Sequence, residues 1–150
     1  MNRFAEDPVD YRRHPERYRI GQGEEGVFRV RPYKGELLPL WHFRTPEIAR
    51  RSADALWAKY EAYRASGDFV GMDMARKYLQ MGYTRAMRYA NYPGGRKLTP
   101  DGDLVEPQRW ADPAKREAAM LFKAKWDAVR DDPDYQARRA AHEARVEAAA

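Results

Sequence analysis

From Ala49 to Tyr63 the residues Ala49, Ala53, Leu56, Tyr60 and Tyr63 recur at steps of three and four, the period of a helix with one buried face. Thr45-Pro46-Glu47 supplies its start: an N-cap, a proline suited to the first turn, and an acid at the positive end of the dipole. The helix is predicted to run to about Ser66, where Gly67 ends it. Asp68 caps a second helix over Phe69–Asn91, with Met72, Ala75, Leu79, Gly82, Tyr83, Ala86 and Ala90 along one face. Glycine in mid-helix costs roughly 1 kcal/mol, so Gly82 implies a close helix–helix contact. Pro93-Gly94-Gly95 stops this helix. Asp112-Pro113 starts a third, with Ala118, Leu121, Phe122, Trp126 and Val129 as its core stripe, and Pro133 breaks it.

The pattern changes elsewhere. Residues 1–19 are polar, contain Pro8 and Pro15, and read as an extended arm. In "GQGEEGVFRVRPYKGELLPLWHF" Phe28 and Val30 alternate with Arg29 and Arg31, the period of a half-exposed strand. A second strand over Leu37–Phe43 would be demoted to an edge by Pro39. Residues 17–43 are therefore expected to form an antiparallel hairpin or three-stranded sheet. "RKLTPDGDLVEP" has a Pro-Asp-Gly turn and reads as a minor hairpin or ordered loop. Residues 134–150 have helical propensity but only Tyr135 and Val146 as large apolar anchors, which predicts a frayed or peripheral helix. The expected fold class is α+β: a small N-terminal antiparallel sheet on two long antiparallel helices, then a third helix. Residues 1–130 form one domain and 131–150 a tail. No internal repeat is present.

Composition narrows the chemistry. The 150 residues, 43% apolar with 19 aromatics, suffice for one core. The absence of cysteine excludes disulfides, thiolate metal sites and cysteine nucleophiles, and favours the cytoplasm. There is no secretory h-region and no apolar run long enough to span a membrane. Neither a cofactor nor a metal site is implied. His14, His42 and His142 have no metal-ligand spacing, and His42, beside Trp41 in the expected strand, is the one expected to be partly buried. Ser52 and Ser66 are the only serines and form no nucleophile elbow. Gly21 to Gly26 spell G-x-G-x-x-G, but they lead into a strand pattern and carry Glu24 and Glu25, so a plain glycine turn is expected in place of a dinucleotide loop.

Charge is the most informative feature. The net charge is +5, yet six of the 28 basic residues fall in Met74–Pro100, where no acid occurs; the remaining 22 face 23 acids. On a helical wheel Asp73, Arg76, Lys77, Gln80, Thr84, Arg88 and Asn91 form one polar band, with Arg85 at its edge and Arg96 and Lys97 following the glycine turn. Arginine forks, amides and hydroxyls suit phosphate oxygens. These residues are the candidate phosphate or nucleic-acid contacts, with Lys34, Trp41 and Asp73 as secondary candidates. The bland alternative is a solvated helix face with an Asp73–Lys77 ion pair.

The blocks "PYKGELLPLWHFRTPEIA" and "DFVGMDMARKYLQMGYTRAMRYAN" resemble a family of small bacterial and phage-borne proteins that carries only a domain-of-unknown-function label. The resemblance covers residues 1 to about 130. It implies no established activity. Family members often have a further basic residue near Met87 and a basic residue or histidine near Tyr92-Pro93; this chain lacks both, which implies a weaker basic face.

The leading expectation is a cytoplasmic protein that contacts the phosphate backbone of nucleic acid or another polyanion without strong sequence preference. No base-reading motif is present. The alternatives are an enzyme or binding protein for an anionic small molecule, with Arg85, Arg88 and Lys97 as clamp and Asp73, Tyr83 or Tyr89 moving the proton, and an adaptor for an acidic protein.

Overall fold

The computed structural model describes residues 5–109 and 111–149. Five α-helices follow one another: α1 (Tyr33–Leu37), α2 (Pro46–Ala65), α3 (Phe69–Asn91), α4 (Pro113–Arg130) and α5 (Pro133–Ala149). Among the described residues there is no strand or sheet. Two isolated bridges, Asp10 with Arg31 and Leu98 with Leu104, are the whole of the β-type pairing there. The α+β expectation is therefore corrected to an all-helical fold.

The error has a definite origin. Gly21, Gly23 and Gly26 all have positive φ, which breaks any extended run through "GQGEEG". Beyond them the chain coils: the Val30 amide bonds Gly26 O at 3.0 Å and the Lys34 amide bonds Val30 O at 3.1 Å. The buried residues are Val27, Val30, Tyr33 and Leu37. Their spacing of three, three and four is helical, whereas the Phe28/Val30 alternation covers only two residues. Pro32 and Pro39 also withhold amide donors that a sheet would need.

The three long helices start where their caps dictate. Side chains of Thr45, Asp68 and Asp112 accept from the amides of Ile48 (3.2 Å), Gly71 (3.0 Å) and Lys115 (3.1 Å). α2 and α3 form an antiparallel pair joined by Gly67, and α4 packs against both. Gly82 marks the closest approach: a Cβ there would stand 2.4 Å from Phe122 Cδ1 of α4. Phe122 itself is fully buried.

α3 is the axis of the molecule. Every residue from Phe69 to Leu79 is buried, because α2, α4, α5 and the N-terminal segment cover it on all sides. α5 packs on α3 and on the short turn at Pro15–Arg17. Its anchors are Tyr135 and His142. No helix among the described residues is long and apolar enough to cross a membrane.

Candidate functional site

The polar band of α3 divides into two unlike parts. Its first part faces inward. Asp73 is fully buried; its carboxylate accepts from Arg76 Nη2 at 2.8 Å, Arg76 Nε at 3.1 Å and the Tyr135 hydroxyl at 2.6 Å. The Tyr18 hydroxyl bonds the other carboxylate oxygen. Burial by itself would raise the Asp73 carboxyl, but Arg76 and the two tyrosines outweigh it and hold it below its ordinary range. The same acid, after burial, pushes the Tyr135 phenol up to about 12.

Arg76 reaches further, donating to Gly23 O at 3.1 Å and Gln80 Oε1 at 2.8 Å. Lys77 is also fully buried. Its amine donates to Ile20 O and to Glu25 O, the latter at 2.6 Å, and lies 5.5 Å above the Tyr18 ring. Burial pushes Lys77 down to about 8. The Thr84 hydroxyl donates to the Glu24 carboxylate. Arg76, Lys77 and Thr84 thus hold the glycine-rich loop onto α3, with Gln80 bracing Arg76. The loop's carbonyls serve as acceptors for cations, the opposite polarity to a phosphate loop. The i,i+4 Asp73–Lys77 pairing expected from spacing gives way to the i,i+3 pair Asp73–Arg76.

The second part faces out. Arg85, Arg88, Arg96 and Lys97 are exposed and make no ion pair among the described residues. Arg88 Nε donates to Gly95 O at 2.6 Å. That bond ties the guanidinium to the turn through Nε. Gly95 is tightly placed: a Cβ there would stand 2.7 Å from the Tyr89 ring. Tyr89 is 38% exposed. Lys97 Nζ lies 5.6 Å above the Tyr92 ring. Asn91, half-buried, accepts the Gln108 amide on its carbonyl oxygen at 2.8 Å, which folds the following segment back over the helix end.

Distant residues join this end that the sequence pattern did not single out. Lys115 Nζ donates to Arg44 O at 2.6 Å and lies 5.8 Å above the Tyr89 ring. Phe43 packs on Tyr89 at 6.0 Å between centroids. Trp41 stands behind Phe43 at 5.1 Å, its indole N–H buried without an acceptor among the described residues. Lys34 lies in α1, half-buried. Nothing local in the sequence marks Lys115 or Arg44; only the packing of α4 beside α3 brings them in.

The acid–base groups are dispersed. Asp73 is sealed, fifteen residues and so about 22 Å along the helix from Arg88. Tyr83 is half-buried against Trp126 of α4, 5.7 Å between rings. The expectation for the histidines is reversed. His42 is exposed and contacts Pro39 O at 2.9 Å, whereas His142 is buried with Nε2 2.7 Å from Tyr18 O. Among the described residues no group of three or more His, Asp or Glu could hold a metal ion.

Fold and site together define a small all-helical protein whose central helix is a sealed polar clamp at one end and an open cationic surface at the other. The family model for a domain of unknown function, DUF4385, matches residues 2–145, and the chain belongs to that family. The match takes in most of α5, which the resemblance read from sequence had left outside. No curated protein and no solved structure matches the chain.

Proposed function

We propose that the chain contacts the phosphate backbone of nucleic acid through Arg85, Arg88, Arg96 and Lys97, without strong sequence preference. One observation carries this. Four exposed cations lie within thirteen residues and none is paired with an acid among the described residues, while Arg12, Arg64 and Arg76 are each held by carboxylates at 2.7–2.8 Å. Unpaired like charges in close proximity repel one another, and a polyanion relieves that repulsion while releasing its own counterions. Arg88 supports a specific contact, since its guanidinium is already oriented by Gly95 O and a pre-oriented fork loses less freedom on binding.

Withdrawal of Arg76 and Lys77 into the core reduces the number of available contacts to about four. A labelled oligonucleotide titrated by fluorescence anisotropy should then weaken with salt at a log–log slope near −3, about −0.7 per phosphate of a single strand. A flat salt dependence, or no binding at low salt, removes the proposal.

A second reading, an adaptor for an acidic protein, draws on the exposure of Leu98 (53%) and Leu104 (83%) beside the cations. It predicts that Leu98→Ser and Leu104→Ser abolish binding. The nucleic-acid reading predicts that loss from Arg85→Gln and Arg88→Gln. The enzyme reading is weakened by the separation of Asp73 from Arg88.

A further inference from the structure

We infer that the nucleic acid taken by the exposed end of α3 is single-stranded, with a base stacking on Tyr92 beside the cations. This rests on the phosphate-contact proposal above and specifies its ligand.

The dimensions argue against a duplex. From Arg85 to Asn91 the cationic stretch of α3 is only about 9 Å long. A helix that reads duplex DNA lies in a major groove about 12 Å wide. Only the final turns of α3 are open to such a groove, because Phe69–Leu79 is enclosed by the rest of the fold.

Charge argues the same way. Directly after Lys97 the chain forms a small hairpin. The Val105 amide bonds Lys97 O at 2.9 Å, the Thr99 amide bonds Asp103 O at 2.8 Å, and Leu98 bridges Leu104. This hairpin and the residue after it carry Asp101, Asp103 and Glu106, all exposed. A duplex presents a phosphate about every 1.7 Å of axis, counting both strands. A second strand brought to Arg88, Arg96 and Lys97 adds phosphates at an end of the molecule that also carries these three acids, which repel them. One flexible strand can follow the cations and turn away.

The aromatic groups supply the positive reason. Phe43, Gly95 and Lys115 already pack around the Tyr89 ring. Tyr92, at the end of α3, is partly exposed and has the Lys97 ammonium 5.6 Å from its ring centre. A ring beside a cation gives adjoining places for a base and a phosphate. A base can stack on such a ring only when it is free of a partner strand.

The test uses the unaltered protein and three labelled probes of equal length: a single-stranded oligodeoxynucleotide, the same strand in a duplex, and an abasic strand with the same phosphates. The single strand should bind at least about tenfold more tightly than either of the others, the effect expected of one stacked base. Equal or tighter duplex binding overturns the inference and leaves phosphate contact standing. Equal binding of the abasic strand overturns stacking. Binding of none of the probes overturns the phosphate proposal itself. Tyr92→Leu keeps the apolar bulk and should lose about tenfold for the single strand while leaving the abasic strand unchanged; unchanged single-strand binding also counts against stacking.

Discussion

The two ends of α3 have similar compositions and opposite fates. Residues 73–80 and 84–91 both contain two or more cations, an amide or hydroxyl and several apolar residues. In the first stretch Arg76 and Lys77 are buried and every polar group finds an internal acceptor or donor. In the second, Arg85 and Arg88 are exposed. A basic stripe on a helix is thus a statement about available donors, and the surroundings decide whether backbone carbonyls or an external anion accept them.

The largest expected effects break the buried end. Asp73→Ala removes the acceptor shared by Arg76, Tyr18 and Tyr135 and leaves a buried cation unpaired. It should cost about 3–5 kcal/mol of stability in urea unfolding, where Arg85→Ala should stay within about 0.5 kcal/mol. If the two variants unfold alike, the contrast between the ends is illusory. Leu79→Ala, at a fully buried position, should cost about 2–5 kcal/mol; a negligible shift would mean that α3 is rotated from the orientation described.

A pH titration sharpens the same contrast. Folding lowers Lys77 from 10.5 to about 8. Between these values the unfolded chain binds a proton that the folded chain does not, so stability rises with pH across that window. From pH 7.5 to 9.5 the gain should be about 2 kcal/mol in the unfolding free energy, and Lys77→Met should abolish it. A rise that survives in Lys77→Met would assign it to another group. At the acid end, Asp73, Glu36 and Asp132 are all held below their ordinary range. Their contribution is complete above the unfolded values and is lost as pH falls through the folded ones, so acid unfolding should set in below about pH 4.

The smallest effect tests the exposed end. Arg88→Ala should reduce the salt slope by about 0.7, one phosphate contact. Arg88→Lys should lose most of the same affinity, because an ammonium cannot bond Gly95 O and present a fork together. Arg64 would be a poor control, since it bonds Asp132 at 2.7 Å and helps to dock α5. Arg50, exposed on α2, is the better one, and Arg50→Ala should leave binding unchanged. Wild-type behaviour of Arg88→Lys with equal damage from Arg50→Ala would reduce the face to diffuse charge.

How much of this was legible depended on the range of the interactions. Thr45, Asp68 and Asp112 mark helix starts through bonds spanning three residues, and all three are found as expected. Gly82 signalled a close contact, and Phe122 supplies it. Residues 17–43 misled because their partners lie far along the chain: Lys77 for Ile20 and Glu25, Arg76 for Gly23, Tyr78 for Val27. No local period encodes a carbonyl turned toward a cation some 50 residues away. The acid-free window from Met74 to Pro100 located the cations correctly, but the first two are satisfied by Asp73, one residue outside it, and by backbone oxygens. In α5 the expected anchor Tyr135 is buried, and His142, which hydropathy does not register, joins it through its contact with Tyr18 O.

Asp73 also ties together segments that no local structure brings near one another. Its carboxylate joins Tyr18 to Tyr135, and His142 closes onto Tyr18 O across 124 residues. α2 and α3, by contrast, are neighbours along the chain and pair without help from either segment. The molecule therefore has a helical hairpin of local contacts and a polar centre that is complete only when α5 and the segment around Tyr18 are both in place. α5 acts as a latch on that segment, and releasing it would leave the acid and the two cations of α3 without part of their partners.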